Sequence, residues 1–463
     1  MAIKTPRPVG LVIAVLALSG AVVSLMQTLL VPIVPDIPHL LGVTVDDASW
    51  LITATLLASA VATPSLSKLA DMFGKRRMMI VSLIMMIAGS VLGALSLSLP
   101  FLIAARALQG FSMALIPIGI SIMRDEIPRE KLGSAVALMS ASMGIGAAIG
   151  LPLGGVIFFA LGWHGIFWVP AIIAVLMLVA LLLIIPESSL VSRGHFDYVG
   201  ALLLSVALLS LLLAVTKGST WGWANAPTIG VFAVSAAFFA LWIPWEIRNR
   251  DPLVDLRTST RRPVLLTNIA SLLIGFSMYA NMLSTTQLLQ MPTSSGYGFG
   301  LSVLQAGIAM LPAALMMVVA APFAARLTQK FGPKTTLIVG ALILGVGYTA
   351  RTLFISTEWE IIVGAMVIST GIAVAYAAMP TIIMSAVPIT ETAAANGFNT
   401  VVRTIGTATS SAVIATTLTG TTFLVGGLVY PQLFAFQEIF IGAAAASFIG
   451  AIVAAWLPKG TRS

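Results

Sequence analysis

The chain has 463 residues, of which 59% are hydrophobic and only 9% are charged. Water-soluble domains carry about 25% charged residues, so this composition excludes a soluble globule and indicates an integral membrane protein. The net charge of +8 would favour a nucleic-acid partner only on a soluble face, whereas these basic residues lie in short gaps between apolar runs, where they indicate membrane topology.

Apolar runs of about 20 residues predict an all-α polytopic protein with fourteen membrane-spanning helices. The first run, from Val9 to Val34, is longer than the core of a cleavable signal peptide, so it is assigned as a span. The predicted spans are residues 9–34, 48–68, 78–97, 100–123, 132–160, 165–186, 198–216, 228–246, 264–287, 302–325, 335–354, 361–386, 394–418 and 435–457.

The basic residues predict the orientation of these spans. With the N-terminus in the cytoplasm, the outer loops hold only two basic residues, Lys217 and Arg351. The positive-inside rule then places both termini in the cytoplasm and supports the count of fourteen, since one missed span would invert every later loop. The cytoplasmic segments hold Lys4, Arg7, Lys68, Lys75, Arg76, Arg77, Arg124, Arg129, Lys131, Arg193, Arg248, Arg250, Arg257, Arg261, Arg262, Arg326, Lys330, Lys334, Lys459 and Arg462.

Two charged loop segments, residues 67–77 and 325–334, align with each other and indicate two related halves. Such repeats are typical of secondary transporters, whose substrate sites lie between the repeats near the bilayer midplane. They predict a six-helix bundle at 1–187, an inserted two-helix hairpin with a cytoplasmic linker at 188–262, and a second six-helix bundle at 263–463. The charged part of the linker, from Glu246 to Arg262, is interpreted as a solvated loop.

Asp71, in the first charged segment, is a candidate conformational latch. A carboxylate at the cytoplasmic mouth can accept hydrogen bonds from a helix N-terminus, and Thr390 to Ala394 at the start of the thirteenth span is the expected partner. Gln329 replaces this acid in the second segment. The alternative is a loop charge that only sets topology. The predicted cytoplasmic gate comprises Asp71, Gly74, Lys75, Arg76, Arg77 and Asp125.

Arg106 lies within the fourth predicted span, with Gln109 and Gly110 on the same helical face. A charge at bilayer depth costs from ~2.5 to more than ~10 kcal/mol, so it must face a partner or a cavity. We expect Arg106 to line the substrate cavity, and the alternative is a structural hub bonded to carbonyl groups. In the fifth span, Gly144, Gly146, Gly150, Pro152, Gly154 and Gly155 indicate close helix packing, a hinge, or both.

Polar residues in other spans complete the candidate cavity, although interhelical hydrogen bonding is the alternative for each. Arg403 is the other buried cation. The chain has no acid at an unambiguous midplane position, so the proton-coupling candidates are Asp36 and Glu438, near the outer ends of the first and last spans. The predicted substrate-binding residues are Met26, Gln27, Arg106, Gln109, Met113, Tyr279, Asn281, Gln287, Tyr376, Asn399 and Arg403.

Several kinds of chemistry are unsupported by the sequence. There is no cysteine for disulfide, iron–sulfur or thiol chemistry. A G-x-x-x-x-G-K-S/T phosphate loop, H-E-x-x-H and G-x-S-x-G are also missing, which argues against an ATP-driven pump and a membrane hydrolase. We therefore expect a protein that is not an enzyme and that needs no cofactor or metal.

Taken together, these motifs resemble the major facilitator superfamily, and within it the fourteen-span drug:proton antiporter branch. The loop pattern G-x-L-A-D-x-x-G-R-R is matched by Leu69, Ala70, Asp71, Gly74, Lys75 and Arg76, with Ser67 in place of the first glycine. The helix 4 pattern R-x-x-Q-G is matched by Arg106, Gln109 and Gly110. The helix 5 pattern G-x-x-x-G-P-x-x-G-G is matched by Gly146, Gly150, Gly154 and Gly155, with the proline displaced to Pro152. Residues 196–200 and 304–312 look like the branch's inserted helix pair and its helix 10.

One departure concerns the first span. The branch commonly has L-D-x-T there, and in this chain Leu25, Met26, Gln27 and Thr28 stand in that place. Met26 therefore replaces an acid that is a candidate proton or cation site in relatives. A pocket with Arg106 and without a facing carboxylate should favour neutral or anionic substrates.

The resemblance implies a monomeric exporter of amphiphilic, drug-like molecules in the bacterial cytoplasmic membrane. It would work by alternating access, with substrate between spans 1, 4, 5, 9, 12 and 13 and with the transmembrane proton gradient as energy source. The expected partners are the lipid bilayer, a small-molecule substrate and protons, with no nucleic acid. The alternatives are an exporter or facilitator of a specific neutral or anionic metabolite or lipid-like molecule, and a non-transporting membrane sensor.

Overall fold

The computed structural model describes residues 8–96, 98–188, 191–192 and 194–458, which are almost entirely α-helical. The first half contains α1 to α7, at Val9–Leu29, Ile37–Leu41, Val45–Phe73, Lys75–Leu95, Leu99–Gly110, Leu115–Glu126 and Arg129–Ile184. The inserted region contains α8 to α10, at Tyr198–Trp221, Ala226–Arg248 and Leu256–Ser259. The second half contains α11 to α16, at Arg262–Gln290, Val303–Phe331, Pro333–Leu353, Glu358–Ala386, Thr392–Gly420 and Leu433–Ala455.

A β-hairpin that the sequence did not predict lies between α15 and α16. Strand β1, Thr422–Val425, pairs antiparallel with β2, Leu428–Pro431. The left-handed conformations of Gly426 and Gly427 form its turn. We call this side of the molecule the hairpin end and the opposite side, where α3 ends, the Asp71 end.

Among the described residues, twelve helical segments are long and apolar enough to cross a membrane, two fewer than predicted. The difference has two sources. Helix α7 is 56 residues long and covers two predicted spans. It contributes only one segment, Pro152–Ile184, to the twelve. Helix α15 is 29 residues long but is rich in threonine, serine and asparagine, which lower its hydropathy.

Helix α7 is interrupted at Gly162, where φ is 67° and ψ is −164°. Only glycine adopts such a conformation without strain, so Gly162 provides the kink between the two predicted spans. The predicted spans 132–160 and 165–186 leave a break at this place.

The apolar core is divided between the two halves. One large cluster of buried side chains comes from α11 to α16, and another comes mainly from α1, α3, α4, α6 and α7. The halves meet where α12 lies against α7, and here Gly144 contacts Met317 and Gly307 contacts Pro152. Small residues at these positions allow the two long helices to approach closely.

The inserted pair α8 and α9 packs beside both halves. At the hairpin end, Lys217 in α8 donates a hydrogen bond to Ser49 in α3 at 2.8 Å and lies over the Trp50 ring at 4.9 Å. In the loop after α8, the Trp223 indole donates to Thr416 in α15 at 2.9 Å. The pair therefore contacts the first half through α3 and the second through α15.

The linker after α9 is not a solvated loop, contrary to the interpretation of its charged sequence. Leu253 and Val254 are buried in a cluster that includes Ala60 of α3 and Val401 of α15. Glu246, itself buried, accepts hydrogen bonds from the amides of Leu253 at 3.2 Å and Val254 at 3.1 Å. Two apolar residues among many charged ones are enough to fix this segment against both halves.

This arrangement predicts that Glu246→Ala releases the linker. The substitution leaves two buried amides without an acceptor, at a cost of about 1 to 3 kcal/mol each. Limited trypsin digestion should then cleave faster at Arg250 and Arg257, while Glu130→Ala, at an exposed position, should leave the rate unchanged. Equal cleavage of the wild type and the Glu246 variant would contradict this role.

Two basic residues assigned to outer loops lie in helices and are buried. Lys217 is 2% exposed in α8, and Arg351 is 1% exposed in α13. Hydropathy placed both near span ends, but it does not show that each side chain turns inward to polar and aromatic partners. Of the residues assigned to the cytoplasmic side, Lys4, Arg7, Arg193, Lys459 and Arg462 lie outside the described residues.

Candidate functional site

Asp71 connects the two halves at the Asp71 end. It is buried in the last turn of α3, and its carboxylate faces the first turn of α15. Its Oδ2 accepts a hydrogen bond from the Ala394 amide at 2.8 Å, and Oδ1 accepts one from the Ala393 amide at 3.3 Å. First-turn amides have no carbonyl partner within their helix, and the helix dipole favours negative charge there. The contact lies within the segment indicated by the sequence, and its action as a latch stays a prediction.

The residues after Asp71 fasten α4 within the first half. Gly74, with φ of 112°, forms the turn between α3 and α4. The next residue, Lys75, pairs with Asp125 at the end of α6, with 2.6 Å between Nζ and Oδ2 and side chains 0% and 3% exposed. Ser188 also donates a hydrogen bond to Asp125 Oδ2, at 2.7 Å. This buried ion pair fixes the start of α4 to the end of α6.

Arg76 and Arg77 contact the end of α7 and the segment after it. The Arg76 amide donates to Glu187 Oε1 at 3.2 Å, and its guanidinium donates to the Leu182 carbonyl at 2.6 Å. Arg77 lies 3.7 Å from Glu187, but its side chain is 71% exposed. Exposed pairs of this kind contribute about 0 to 1 kcal/mol, so the Arg77 pair adds little to stability.

Arg124, predicted from the sequence only as a topology signal, makes a contact between the halves. Its guanidinium donates to the carbonyls of Val387 at 3.1 Å and Pro388 at 3.3 Å, and to the Thr392 hydroxyl at 2.5 Å. Arg124 thus binds the turn that precedes α15, next to the Asp71 contact. In the sequence, this contact is indicated only by the position of Arg124, next to Asp125 at the end of a predicted span.

The carboxyl group of Glu391 lies immediately before α15. Burial raises its pKa, and the nearby Asp255 raises the pKa further, while Lys68 and Arg261 oppose the shift. Arg261 also donates to the Ala386 carbonyl at 3.2 Å, next to this turn. Charged groups from α3, the linker and the turn therefore converge around the first turn of α15.

Arg106 is enclosed by neighbouring helices. It is 3% exposed, and its guanidinium donates to the Leu51 carbonyl at 2.9 Å and to Gln109 Oε1 at 2.8 Å. Gln109 in turn donates to Ser90 at 2.8 Å, and Thr55 donates to the Arg106 carbonyl at 3.0 Å. These bonds join α3, α4 and α5 and correspond to the structural-hub alternative. In this conformation Arg106 has almost no surface to offer a substrate, and its cavity role stays a prediction.

Four further candidates form two pairs, one in each half. Gln27 in α1 donates to the Met113 sulfur at 2.9 Å. In the second half, the Arg403 guanidinium lies 5.0 Å from the centre of the Tyr376 ring, a cation–π contact. Arg403 is partly exposed and its Nη2 has no hydrogen-bond partner among the described residues. Met26, which stands in place of the expected acid, is buried in the first core.

Asn281 and Asn399 make interhelical hydrogen bonds, which corresponds to the alternative given for them. Asn399 in α15 donates to Asn268 in α11 at 2.8 Å. Asn281 accepts from Arg351 at 2.9 Å. Tyr279 in α11 interacts with the Ser411 hydroxyl of α15. Arg351 was missed as a buried group, and it also lies 4.6 Å from the Phe440 ring.

The small residues of the fifth predicted span pack against two helices. Gly146 lies against the Ala21 carbonyl and Gly150 against Thr28, both in α1. Pro152 faces Gly307 of α12, Gly154 is buried, and a side chain at Gly155 would meet no atom within 4 Å. Close approach therefore explains Gly146 and Gly150, and hinge motion stays a prediction.

The two proton-coupling candidates are both exposed at the hairpin end. Asp36 ends the 3₁₀ turn Val31–Asp36 after α1, and Glu438 lies near the start of α16. Buried carboxylates in the described chain include Asp71 and Asp125 at the Asp71 end. Neither exposed acid lies between the two halves in this conformation.

Gln287 borders an open cavity of about 660 Å³ at the hairpin end. The cavity lies between the last turns of α11 and α15, beneath the β-hairpin. Tyr297, whose pKa burial raises to about 12, donates to the Pro431 carbonyl at 2.5 Å and holds the hairpin in place. The lining includes Gln287, Gln290, Leu418, Thr419, Thr422 and Val429.

Several known proteins are similar to this chain, and their names refer to resistance, export or transport. The multidrug resistance protein Stp of Mycobacterium tuberculosis is 28% identical over 390 residues, covering 83% of this chain and 71% of Stp. The tetracenomycin C resistance and export protein of Streptomyces glaucescens is 30% identical over 339 residues, covering 73% of this chain and only 62% of that protein. The probable actinorhodin transporter of Streptomyces coelicolor is 29% identical over 395 residues, covering 82% and 67%.

Two further comparisons concern the fold and the family. The crystal structure of the human organic anion transporter MFSD10 (TETRAN) superposes with a TM-score of 0.68 at 16% identity, covering 96% of this chain and 99% of that one. At that identity the likeness shows the fold alone. The family model described as Major Facilitator Superfamily matches residues 16–411. The chain is therefore a multi-pass membrane transporter that belongs to the Major Facilitator Superfamily.

Proposed function

We propose that this protein is a secondary active exporter of amphiphilic small molecules that works by alternating access between two six-helix bundles. The observation that carries the proposal is the Asp71 carboxylate of the first half bound to the start of α15 in the second. This contact joins the two halves at the Asp71 end. It uses two hydrogen bonds between rigid helices, so it can break as a unit when the halves separate.

The proposed topology has fourteen spans with both termini in the cytoplasm. Gly162 divides α7 into two segments, and α15 packs against α3 and α6 of the first half, so its polar side chains can face protein rather than lipid. The Asp71 end is then cytoplasmic because Lys75, Arg76, Arg77 and Arg124 lie there. The proposed location is the bacterial cytoplasmic membrane, where the chain acts as a monomer.

The proposed cargo is a drug-like aromatic amphiphile that is neutral or anionic. One relative is named as a tetracenomycin C resistance and export protein, one as a probable actinorhodin transporter and one as a multidrug resistance protein. Arg403 on Tyr376 supplies a partly exposed cation, and Met26 removes the acid that would attract a cationic drug. A low-dielectric cavity strengthens the attraction of this unpaired cation for an anionic group.

Proton antiport is the proposed energy source, and it is tested by reconstitution. In liposomes with an acidic lumen, protein inserted with the appropriate orientation should exchange outgoing protons for tetracenomycin C, which accumulates inside. Nigericin, which collapses the pH gradient, should abolish the accumulation. Transport that ignores the gradient would contradict coupling and favour the facilitator alternative, and absence of transport across a panel of neutral and anionic aromatic amphiphiles would contradict the exporter function.

A further inference from the structure

Helix α9 of the inserted pair is the most lipid-facing of the twelve apolar segments. Only 17% of its apolar stretch is buried in the protein, the smallest share among the twelve. Toward its last turn, Leu241, Ile243 and Ile247 are all exposed. The helix ends at Arg248 at the Asp71 end, where Asp255 of the following linker lies near Glu391. Acyl chains of the bilayer therefore cover the surface of α9 up to this end.

Two aromatic residues mark the level of the lipid headgroups. Tyr198 in the first turn of α8 and Trp245 in the last turn of α9 are both exposed. The Trp245 indole donates a hydrogen bond to Asp197 at 3.1 Å, so the two aromatic residues lie side by side on neighbouring helices. Tyrosine and tryptophan are enriched at the membrane–water interface. The segment that begins at Arg248 therefore lies among the headgroups.

This segment carries five exposed arginines whose charge is not taken up by its own acids. Glu246 accepts the two linker amides described above, and Asp251 accepts the His195 amide at 3.1 Å. Asp255 accepts the Arg257 amide at 2.8 Å at the start of α10. In the part of the chain that the structure describes, no arginine lies within ion-pair distance of these three acids. The five are Arg248, Arg250, Arg257, Arg261 and Arg262.

The fold brings two of these arginines together. The Arg257 guanidinium extends back from α10 and donates to the Ile247 carbonyl in the last turn of α9 at 3.2 Å. Arg248 is the next residue of that turn, so two cations nine positions apart in sequence share the end of one helix. The single bond leaves other N–H groups of Arg257 available. Arginine binds phosphate oxygens through several such groups, and clusters of basic residues next to a membrane span attract anionic headgroups.

We propose that the end of α9 and the linker form a binding site for an anionic phospholipid. Arg248 and Arg257 bind its phosphate, the other three arginines add to the attraction, and its acyl chains lie on the apolar surface of α9. A charge that only sets topology needs no such pairing of two arginines from separate elements. The site lies at the headgroup level, and it is independent of what the protein transports and in which direction.

The test measures lipid binding to the detergent-solubilised full chain by native mass spectrometry. The first dioleoyl phosphatidylglycerol should bind at least tenfold more tightly than the first dioleoyl phosphatidylcholine. Attraction of an arginine to an anionic surface changes affinity about fivefold. The double variant Arg248→Gln, Arg257→Gln should therefore weaken phosphatidylglycerol binding at least tenfold and leave phosphatidylcholine binding unchanged, which also shows that the variant is folded.

A matched control separates a site from general surface charge. The double variant Arg129→Gln, Lys131→Gln removes the same charge from two exposed positions at the same end and should bind phosphatidylglycerol like the wild type. Equal loss in the two double variants would overturn the proposal, as would equal wild-type affinity for the two lipids or parallel loss of both lipids in the Arg248 and Arg257 variant.

A competitor distinguishes a lipid from a soluble anion. Glycerol 3-phosphate and inorganic phosphate carry the charged group without acyl chains, so at 100-fold excess over the lipid neither should displace phosphatidylglycerol from the wild type. Displacement by either would show that these arginines bind a soluble phosphate and would overturn the lipid site.

Discussion

Replacing Asp71 with alanine is expected to lower transport at least tenfold and to separate the two halves at the Asp71 end. The wild-type carboxylate accepts two amide hydrogen bonds at the start of α15. Hydrogen bonds to charged groups contribute about 1.5 to 3 kcal/mol each, and each 1.4 kcal/mol changes an equilibrium about tenfold. The conformational equilibrium therefore shifts away from the closed state, and transport slows because the cycle must return through that state.

The separation is measurable because the chain has no native cysteine. Spin labels on cysteines introduced at Arg129 and Ile389, both exposed at the Asp71 end and one in each half, report the distance. The distribution should lengthen in Asp71→Ala and lengthen less in Asp71→Asn, which retains one acceptor oxygen. Gln329→Ala is the matched control, since this counterpart in the second charged segment makes only a 3.4 Å contact with the Glu130 carbonyl.

The same experiment distinguishes a latch from a charge that only sets topology. A topology signal would leave the label distance unchanged in correctly inserted molecules, and its loss would instead appear as mixed orientation in protease protection of the C-terminus. Wild-type flux with unchanged distances in Asp71→Ala would contradict the latch.

The contact between Asp71 and the start of α15 could be predicted from the sequence because it depends only on where these residues lie along the chain. Apolar runs mark where spans end, and the internal repeat indicates which ends face each other. The same information was insufficient for Lys217 and Arg351, because hydropathy gives the depth of a residue and not the direction of its side chain. Whether a long cation turns to lipid, water or a neighbouring helix depends on tertiary packing.

Arg106 and Leu253 illustrate the other limits. The cost of a buried charge correctly required a partner for Arg106, but carbonyls and an amide satisfy that requirement as well as a cavity does. In the linker, the abundance of charge concealed two apolar residues that are buried against α3 and α15. The β-hairpin was missed because it is short and lies between two long apolar runs.

Breaking the buried Lys75 and Asp125 pair is expected to destabilise the protein by about 3 to 5 kcal/mol, because either single substitution leaves an uncompensated buried charge. Lys75→Met and Asp125→Asn should each lower the melting temperature of the purified protein strongly. The double variant should be more stable than the sum of the two single effects predicts, since it removes both charges. Ser188 donates to the same carboxylate oxygen, so Asp125→Asn retains one neutral hydrogen bond and should be the milder of the two.

Arg77→Ala is the control for this prediction, because Arg77 pairs with Glu187 at 3.7 Å and is 71% exposed. Water screens such a pair, so its loss should cost less than about 1 kcal/mol. The Lys75 pair lies wholly within the first half, whereas the Asp71 contact joins the halves. Lys75→Met should therefore lower stability without lengthening the label distance in the folded fraction. Asp71→Ala should lengthen the label distance without lowering stability. Additive effects in the double variant, or a large effect of Arg77→Ala, would show that burial of the Lys75 pair does not govern the stability of this end.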